Sequence, residues 1–186
     1  MKEKSNDDLL ILVDRDDNEI GSMGKDECHD GNGILHRAFS IFLFNDSGKL
    51  LLQKRSREKR LWPLFWSNTC CSHPRQGESM EDATARRLRQ ELDTTARLEY
   101  LYKFEYQAQF DDHGSEHELC WVFLGRLERQ PVANDAEIAE IRFVSSGELD
   151  GEIAAGPDRF TPWFKLEWQR LNEEFAEPLR RYTSPG

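Results

Sequence analysis

Residues 71–93 place a thiol, an imidazole and a turn directly ahead of a helix, and that order restricts the chain more than any other stretch. Cys71-Ser72-His73-Pro74 runs through Gly77-Glu78 to Ser79, a good N-cap, with Glu81 and Asp82 in the first turn. Ala83, Leu88 and Leu92 mark an apolar face, and Arg86, Arg87 and Glu91 ride on the same helix. Strand-like patterns on either side of this helix predict a sheet.

The flanking patterns supply that sheet. Leu9–Val13 is a short apolar run stopped by Asp14-Arg15-Asp16-Asp17-Asn18, and a charged, glycine-rich loop follows over 24–33. Ala38–Phe44 predicts a strand, Asn45-Asp46-Ser47-Gly48 a hairpin turn, and Leu50–Arg55 the returning strand. Leu61–Trp66 is an aromatic loop. Residues 100–110 alternate, with Tyr100, Tyr102, Phe104, Tyr106 and Phe110 on one face, and residues 116–127 continue after a turn at 111–115. Residues 141–144 form a short strand, and Thr161-Pro162 opens a C-terminal helix over 161–176 with Thr161 as N-cap. There is no internal repeat and no linker. The expectation is one α/β domain over 1–186, a mixed β-sheet sandwiched between α-helices, with its core at about 36–165 and an N-terminal strand and loop at 9–35.

Length and charge narrow the function. At 186 residues the chain is large enough for one proper core. A net charge of −10, from 25 basic against 35 acidic residues, argues against a nucleic-acid groove or an anionic membrane surface. An anionic substrate would then need divalent cations to neutralise it locally. No apolar run is long enough to span a membrane, and Met1–Asp8 lacks a signal h-region. Cys28, Cys70, Cys71 and Cys120 show no zinc spacing, and neighbouring Cys70 and Cys71 would strain a mutual disulfide. Free thiols in a reducing cytoplasm are expected.

Five side chains suggest a metal centre: His29, His36, His73, Glu116 and Glu118. Glu116 and Glu118, spaced i, i+2, point to one strand face, and the strand runs on into apolar Leu119–Leu124. Buried like charges side by side are costly without a cation between them. Three imidazoles and two carboxylates suit Mn²⁺, Zn²⁺ or Fe²⁺ better than Mg²⁺. His113, in a turn, and His117, on the opposite face from its glutamates, are read as solvated. If residue 110 faces 116 across the hairpin, 108 pairs with 118 and Tyr106 lies diagonal to Glu118, within hydrogen-bonding reach.

The helix run Arg86-Arg87-Leu88-Arg89-Gln90-Glu91-Leu92-Asp93 resembles a Nudix box that keeps only one of three acids of the hydrolytic pattern. Over residues 9–176 the chain resembles type I isopentenyl diphosphate isomerases, which have a Nudix-like fold. The marks are Lys25-x-x-x-His29, His36-x-Ala38-Phe39-Ser40, Asn68-Thr69-Cys70-Cys71-Ser72-His73-Pro74, Arg86-Arg87-Leu88-x-x-Glu91-Leu92, Tyr106, Glu116-x-Glu118-x-Cys120 and Pro162-Trp163. Asp93 departs from the glycine common after this helix.

The resemblance implies isomerisation of isopentenyl diphosphate to dimethylallyl diphosphate by a 1,3 proton shift. It implies one transition metal on His29, His36, His73, Glu116 and Glu118, and a Mg²⁺ on the substrate diphosphate and Glu91, with the Cys71 backbone carbonyl nearby. Cys71 and Glu118 would be the catalytic pair, assisted by Tyr106, and Trp163 would face the hydrocarbon tail. Lys25, Arg55, Lys59 and Arg87 are the candidates for the diphosphate. The partner expected is this small diphosphate alone, taken by a monomer or weak dimer. The rivals are a Nudix-type pyrophosphohydrolase, favoured by Gly77-Glu78 and Arg86, and a non-catalytic metal- or isoprenoid-binding protein.

Overall fold

The computed structural model describes residues 9–184. The charged segment before Leu9, read above for a signal sequence, lies outside them. Everything is organised on β3 (His36–Phe44), of whose nine residues only Arg37 is not fully buried. A strand covered on both faces has no polar side to show, which is why it reads as a continuous apolar run. Along one edge β3 pairs in parallel with β8 (Gly114–Arg126), from His36 opposite Glu118 to Phe44 opposite Arg126. Its other edge takes β1 (Leu9–Val13), β6 (Cys70–Ser72) and β4 (Leu50–Arg55) in succession, all antiparallel. β2 (Glu19–Gly24), β5 (Trp66–Ser67), β7 (Leu98–Phe110) and β9 (Ile138–Val144) complete a mixed sheet by pairing with β1, β4, β8 and β4 respectively.

Helices cover both faces, as expected. On one, α2 (Met80–Leu92) buries Ala83, Leu88 and Leu92 against Phe39, Ile41, Leu43 and Leu51. On the other, α3 (Ser146–Ala155), α4 (Pro162–Glu173) and α5 (Ala176–Thr183) pack Leu149, Trp163, Phe164, Trp168, Leu171 and Leu179 over Ala38, Phe42, Cys120 and Val122. Ser79 caps α2 by accepting from the Asp82 amide at 3.1 Å. Asp93 ends that helix in the left-handed region (φ 43°), a conformation that glycine adopts with less strain.

Several elements differ from the sequence expectation. The 24–33 loop contains a one-turn helix, α1 (Lys25–Cys28). The C-terminal helix stops at Glu173, and α5 follows after a break. α3 was not anticipated, although Ser145 and Glu148 form a capping box at its start. Thr161 does not cap α4: its hydroxyl lies 3.0 Å from Ser67 Oγ instead, while Pro162 holds the first helical position. The β7–β8 hairpin is tighter than assumed. Phe110 faces Gly114, so Ala108 pairs with Glu116, and Tyr106 sits directly opposite Glu118 rather than diagonal to it. Gly114 (φ 133°) takes the first ladder position and shortens the turn to Asp111-Asp112-His113. The two-residue shift preserves parity, so the shared face survives.

Candidate active site

The ladder registers assemble the site before any side chain is considered. Tyr106, Glu118 and His36 stand abreast on β7, β8 and β3, and Cys71 on β6 stands beside Ser40 of β3. Glu116 is two residues before Glu118 on the same face, His29 ends α1, and His73 follows β6. One ligand atom from each of His29, His36, His73, Glu116 and Glu118 falls within 4.8 Å of all the others.

The imidazoles are aimed by their backs. Nδ1 of His29 lies 2.5 Å from the Lys25 carbonyl and Nδ1 of His36 lies 2.7 Å from the Ile34 carbonyl. Each bond leaves Nε2 facing the cluster, the arrangement that orients metal-binding histidines. His29 Nε2 is 2.7 Å from Glu116, and His73 Nε2 is 2.8 Å from Glu118. His36 Nε2 is buried without a hydrogen-bond partner. Burial, with His29 beside it, lowers the His36 pKa to about 4, so at neutral pH that nitrogen offers a lone pair.

The carboxylates make the complementary point. Burial works against the charge on Glu116, but His29 overrides it and the acid drops to about 2. Burial and the charge of Glu116 then push Glu118 well above the usual carboxylate range. Two such acids ionise together only when a cation joins them. The donor set therefore fits a metal ion, and its three nitrogens favour a transition metal over an all-oxygen cation.

Beside this cluster lies a cavity of about 220 Å³, lined by Cys71, Tyr106, Glu118 and Trp163 at its reactive end and by Lys25, Arg55, Lys59, Arg60 and Arg87 elsewhere. These five cations share the lining with the acids Asp26, Glu58, Glu116 and Glu118, a basic gathering in a chain of net charge −10. The Tyr106 hydroxyl donates to Glu118 at 2.6 Å. Burial pushes the Cys71 thiol up to about 12 although Arg55 pulls the other way. Trp163 is buried, with the Arg55 guanidinium 5.2 Å from its ring centre, the Tyr106 ring 6.2 Å away and Trp62 edge-on at 5.3 Å. Arg55 itself donates to the carbonyls of Leu61 and Trp62, and its Nη1 lies 3.9 Å from Cys71 Sγ.

Other sequence-selected residues lie at the margin. Glu91 is buried behind Arg87, which pairs with it, and its Oε2 accepts from Gln53 at 3.4 Å. Lys59 pairs with Glu137, whose other oxygen is 3.2 Å from Arg87. His117 points away from the cluster and bonds Glu105, and His113 stays in the hairpin turn. Cys70 lies on the opposite face from Cys71, packed with α2.

Arg60 and Gly114 also shape the site, although neither stands out in the sequence. Arg60 donates to the carbonyls of Asp26 and His113 and to Asp30, holding α1 onto the hairpin. Gly114 is the closer constraint, because a Cβ there would stand 2.2 Å from the His29 carbonyl oxygen. The only sequence signal was its place in a turn. Gly114→Ala is therefore expected to displace His29 and lower metal retention at an unchanged secondary-structure content. Elemental analysis after dialysis checks this, and full metal content in the variant would contradict it.

The family model described as NUDIX domain matches residues 34–164. A Deinococcus radiodurans protein of known crystal structure superposes with a TM-score of 0.67, at 23% identity over 94% of this chain and 98% of that one. Sequence relatives are more specific. "Isopentenyl-diphosphate Delta-isomerase 2" of Photorhabdus laumondii is 42% identical, covering 89% of this chain and 99% of its own. "Isopentenyl-diphosphate Delta-isomerase" of Serratia proteamaculans is 41% identical over 96% and 99%, and that of Nocardia farcinica 42% over 91% and 98%. The chain belongs to the isopentenyl-diphosphate Delta-isomerase family, within the Nudix fold.

Proposed function

We propose that the protein isomerises isopentenyl diphosphate to dimethylallyl diphosphate, with Cys71 and Glu118 as its proton-transfer groups. The observation that carries this is the meeting of a thiol and a tyrosine-bonded glutamate in one small pocket that also gathers five basic side chains. An unactivated alkene is a weak base, so protonation of its terminal carbon must be driven, giving a tertiary carbocation. A second group then removes a proton from the carbon on the diphosphate side, completing the 1,3 shift. Cys71 on β6 and Glu118 on β8, at opposite edges of β3, both line the pocket that would take such a substrate, and Tyr106 donates to Glu118 and steadies it.

His29, His36, His73, Glu116 and Glu118 would hold Mn²⁺, Zn²⁺ or Fe²⁺, which supplies the positive charge that keeps Glu118 ionised and oriented in a dry site. Glu91 and the Cys71 backbone carbonyl would hold a Mg²⁺ that arrives with the diphosphate. Lys25, Arg55, Lys59 and Arg87 take the diphosphate end. The Trp163 ring closes over the hydrocarbon, excludes water and offers its π face to the cation, worth about 0.5–2 kcal/mol. A monomer or weak dimer in the cytoplasm fits these needs, since one chain carries the whole site.

Metal content tests the five-ligand centre. The purified protein should hold one tightly bound transition metal per chain, and His36→Ala should lose it; undiminished metal in that variant would remove His36 from the site. Activity separates the isomerase from the hydrolase: isopentenyl diphosphate should be converted with no phosphate released. Rapid phosphate release from nucleoside diphosphates, without isomerisation, would favour the rival.

A further inference from the structure

α4 turns one face inward, burying Trp163, Phe164, Glu167, Trp168 and Leu171. Glu167 is the only acid in that stripe and is 0% exposed. A leucine would be the easier occupant, because an acid in an apolar interior costs free energy unless its hydrogen bonds are made. Burial keeps it neutral, with its pKa pushed up to about 8 against the pull of Ser40 and Cys120. The mechanism above gives it no role.

Its surroundings suggest one. Cys120 Sγ lies 3.6 Å from Glu167 Oε1, the Ser40 hydroxyl is its other polar neighbour, and Cys120 and Ser40 are 3.5 Å apart. Ser40 is the cross-strand neighbour of Cys71 in the β3–β6 ladder. Cys120 follows Glu118 by two residues on the same face of β8. Trp163 is one helical turn before Glu167 on α4. Glu167 Oε2 and Trp163 Nε1 are both buried without hydrogen-bond partners. One acid thus touches the supports of all three groups that face the reacting carbons.

We propose that Glu167 is a positioning residue of the isomerase site: it ties α4 to β3 and β8, and so sets the gap between Cys71, Glu118 and the Trp163 ring. This rests on the isomerase function proposed above. It does not touch the diphosphate end of the pocket, so its effect belongs in kcat rather than KM.

The test compares Glu167→Leu and Glu167→Gln with the wild-type holoenzyme. Leu keeps bulk, removes the buried acid and leaves Ser40 and Cys120 to bond each other, so packing alone predicts an equally or more stable protein of undiminished activity. The positioning role predicts a folded Glu167→Leu variant with unchanged KM and kcat lowered on the order of 10²-fold, the cost of a small misplacement of reacting groups. Gln, which keeps hydrogen bonds without charge, should restore most of the rate. Wild-type kcat in Glu167→Leu would overturn the proposal, as would a Gln variant no faster than Leu. If Glu167→Leu fails to fold, Ser40→Ala, which cuts one tie alone, must reproduce the kcat loss, and a full rate there overturns the proposal equally. A wild-type protein that does not isomerise the substrate defeats the isomerase function itself, and the role of Glu167 with it.

Discussion

Cys71→Ala is expected to lower turnover by about 10²–10⁴-fold, the range for a lost proton-transfer group, and Cys70→Ala to stay near the wild-type rate. The contrast follows from strand geometry. Successive residues of β6 point to opposite faces, and Cys71 lines the pocket while Cys70 is packed against Leu88 and Leu92 of α2. Cys71 is only half-buried, so its truncation leaves little cavity behind and the fold should be intact by circular dichroism. Steady-state rates on the three proteins decide the matter. A dead Cys70→Ala with an active Cys71→Ala would mean that the register through this loop is wrong by one residue.

Glu118→Gln should be at least as damaging, because one substitution removes both an acid–base group and a metal ligand. Its Oε1 lies 2.8 Å from His73 Nε2 and 3.8 Å from His36 Nε2, while Oε2 accepts from Tyr106. Glu116→Gln separates the two losses, since it weakens the metal centre and leaves Glu118 in place. Tyr106→Phe deletes only the 2.6 Å hydrogen bond. A bond to a charged group is worth about 1.5–3 kcal/mol, so that variant should slow tenfold or more yet keep its metal. Elemental analysis beside kcat for the three variants gives the partition. Near-normal turnover in Glu118→Gln would remove it from the chemistry.

The parts of the site that were legible in the sequence are those with short-range grammar. Glu116 and Glu118 share a face because strands have a period of two, and the apolar run after them announces burial. Ser79 announces α2 because its hydroxyl caps locally. The Tyr106–Glu118 contact is legible because the observed hairpin register differs from the expected one by an even number of residues, which keeps both side chains on one face. What escaped depends on long-range pairing. β5 and β6 are two and three residues long, too short for any periodic signal, and β2 fully buries only Gly24. Thr161 has the composition of a cap, but Ser67, distant in sequence, claims its hydroxyl. Arg60 looks like one more surface cation until Asp26, Asp30 and His113 are seen around it. Glu167 reads as a polar break in an amphipathic helix, and only the β3 and β8 registers show what lies beneath it.

Turnover of isopentenyl diphosphate in deuterated water reports the proton transfers themselves. Protonation by an enzyme group in exchange with solvent should place one deuteron in a methyl group of dimethylallyl diphosphate per conversion, with the diphosphate intact and the Cys71→Ala variant slowed about 10²–10⁴-fold. Product free of solvent deuterium, or release of phosphate in place of isomerisation, would contradict the two-group proton shift assigned to Cys71 and Glu118.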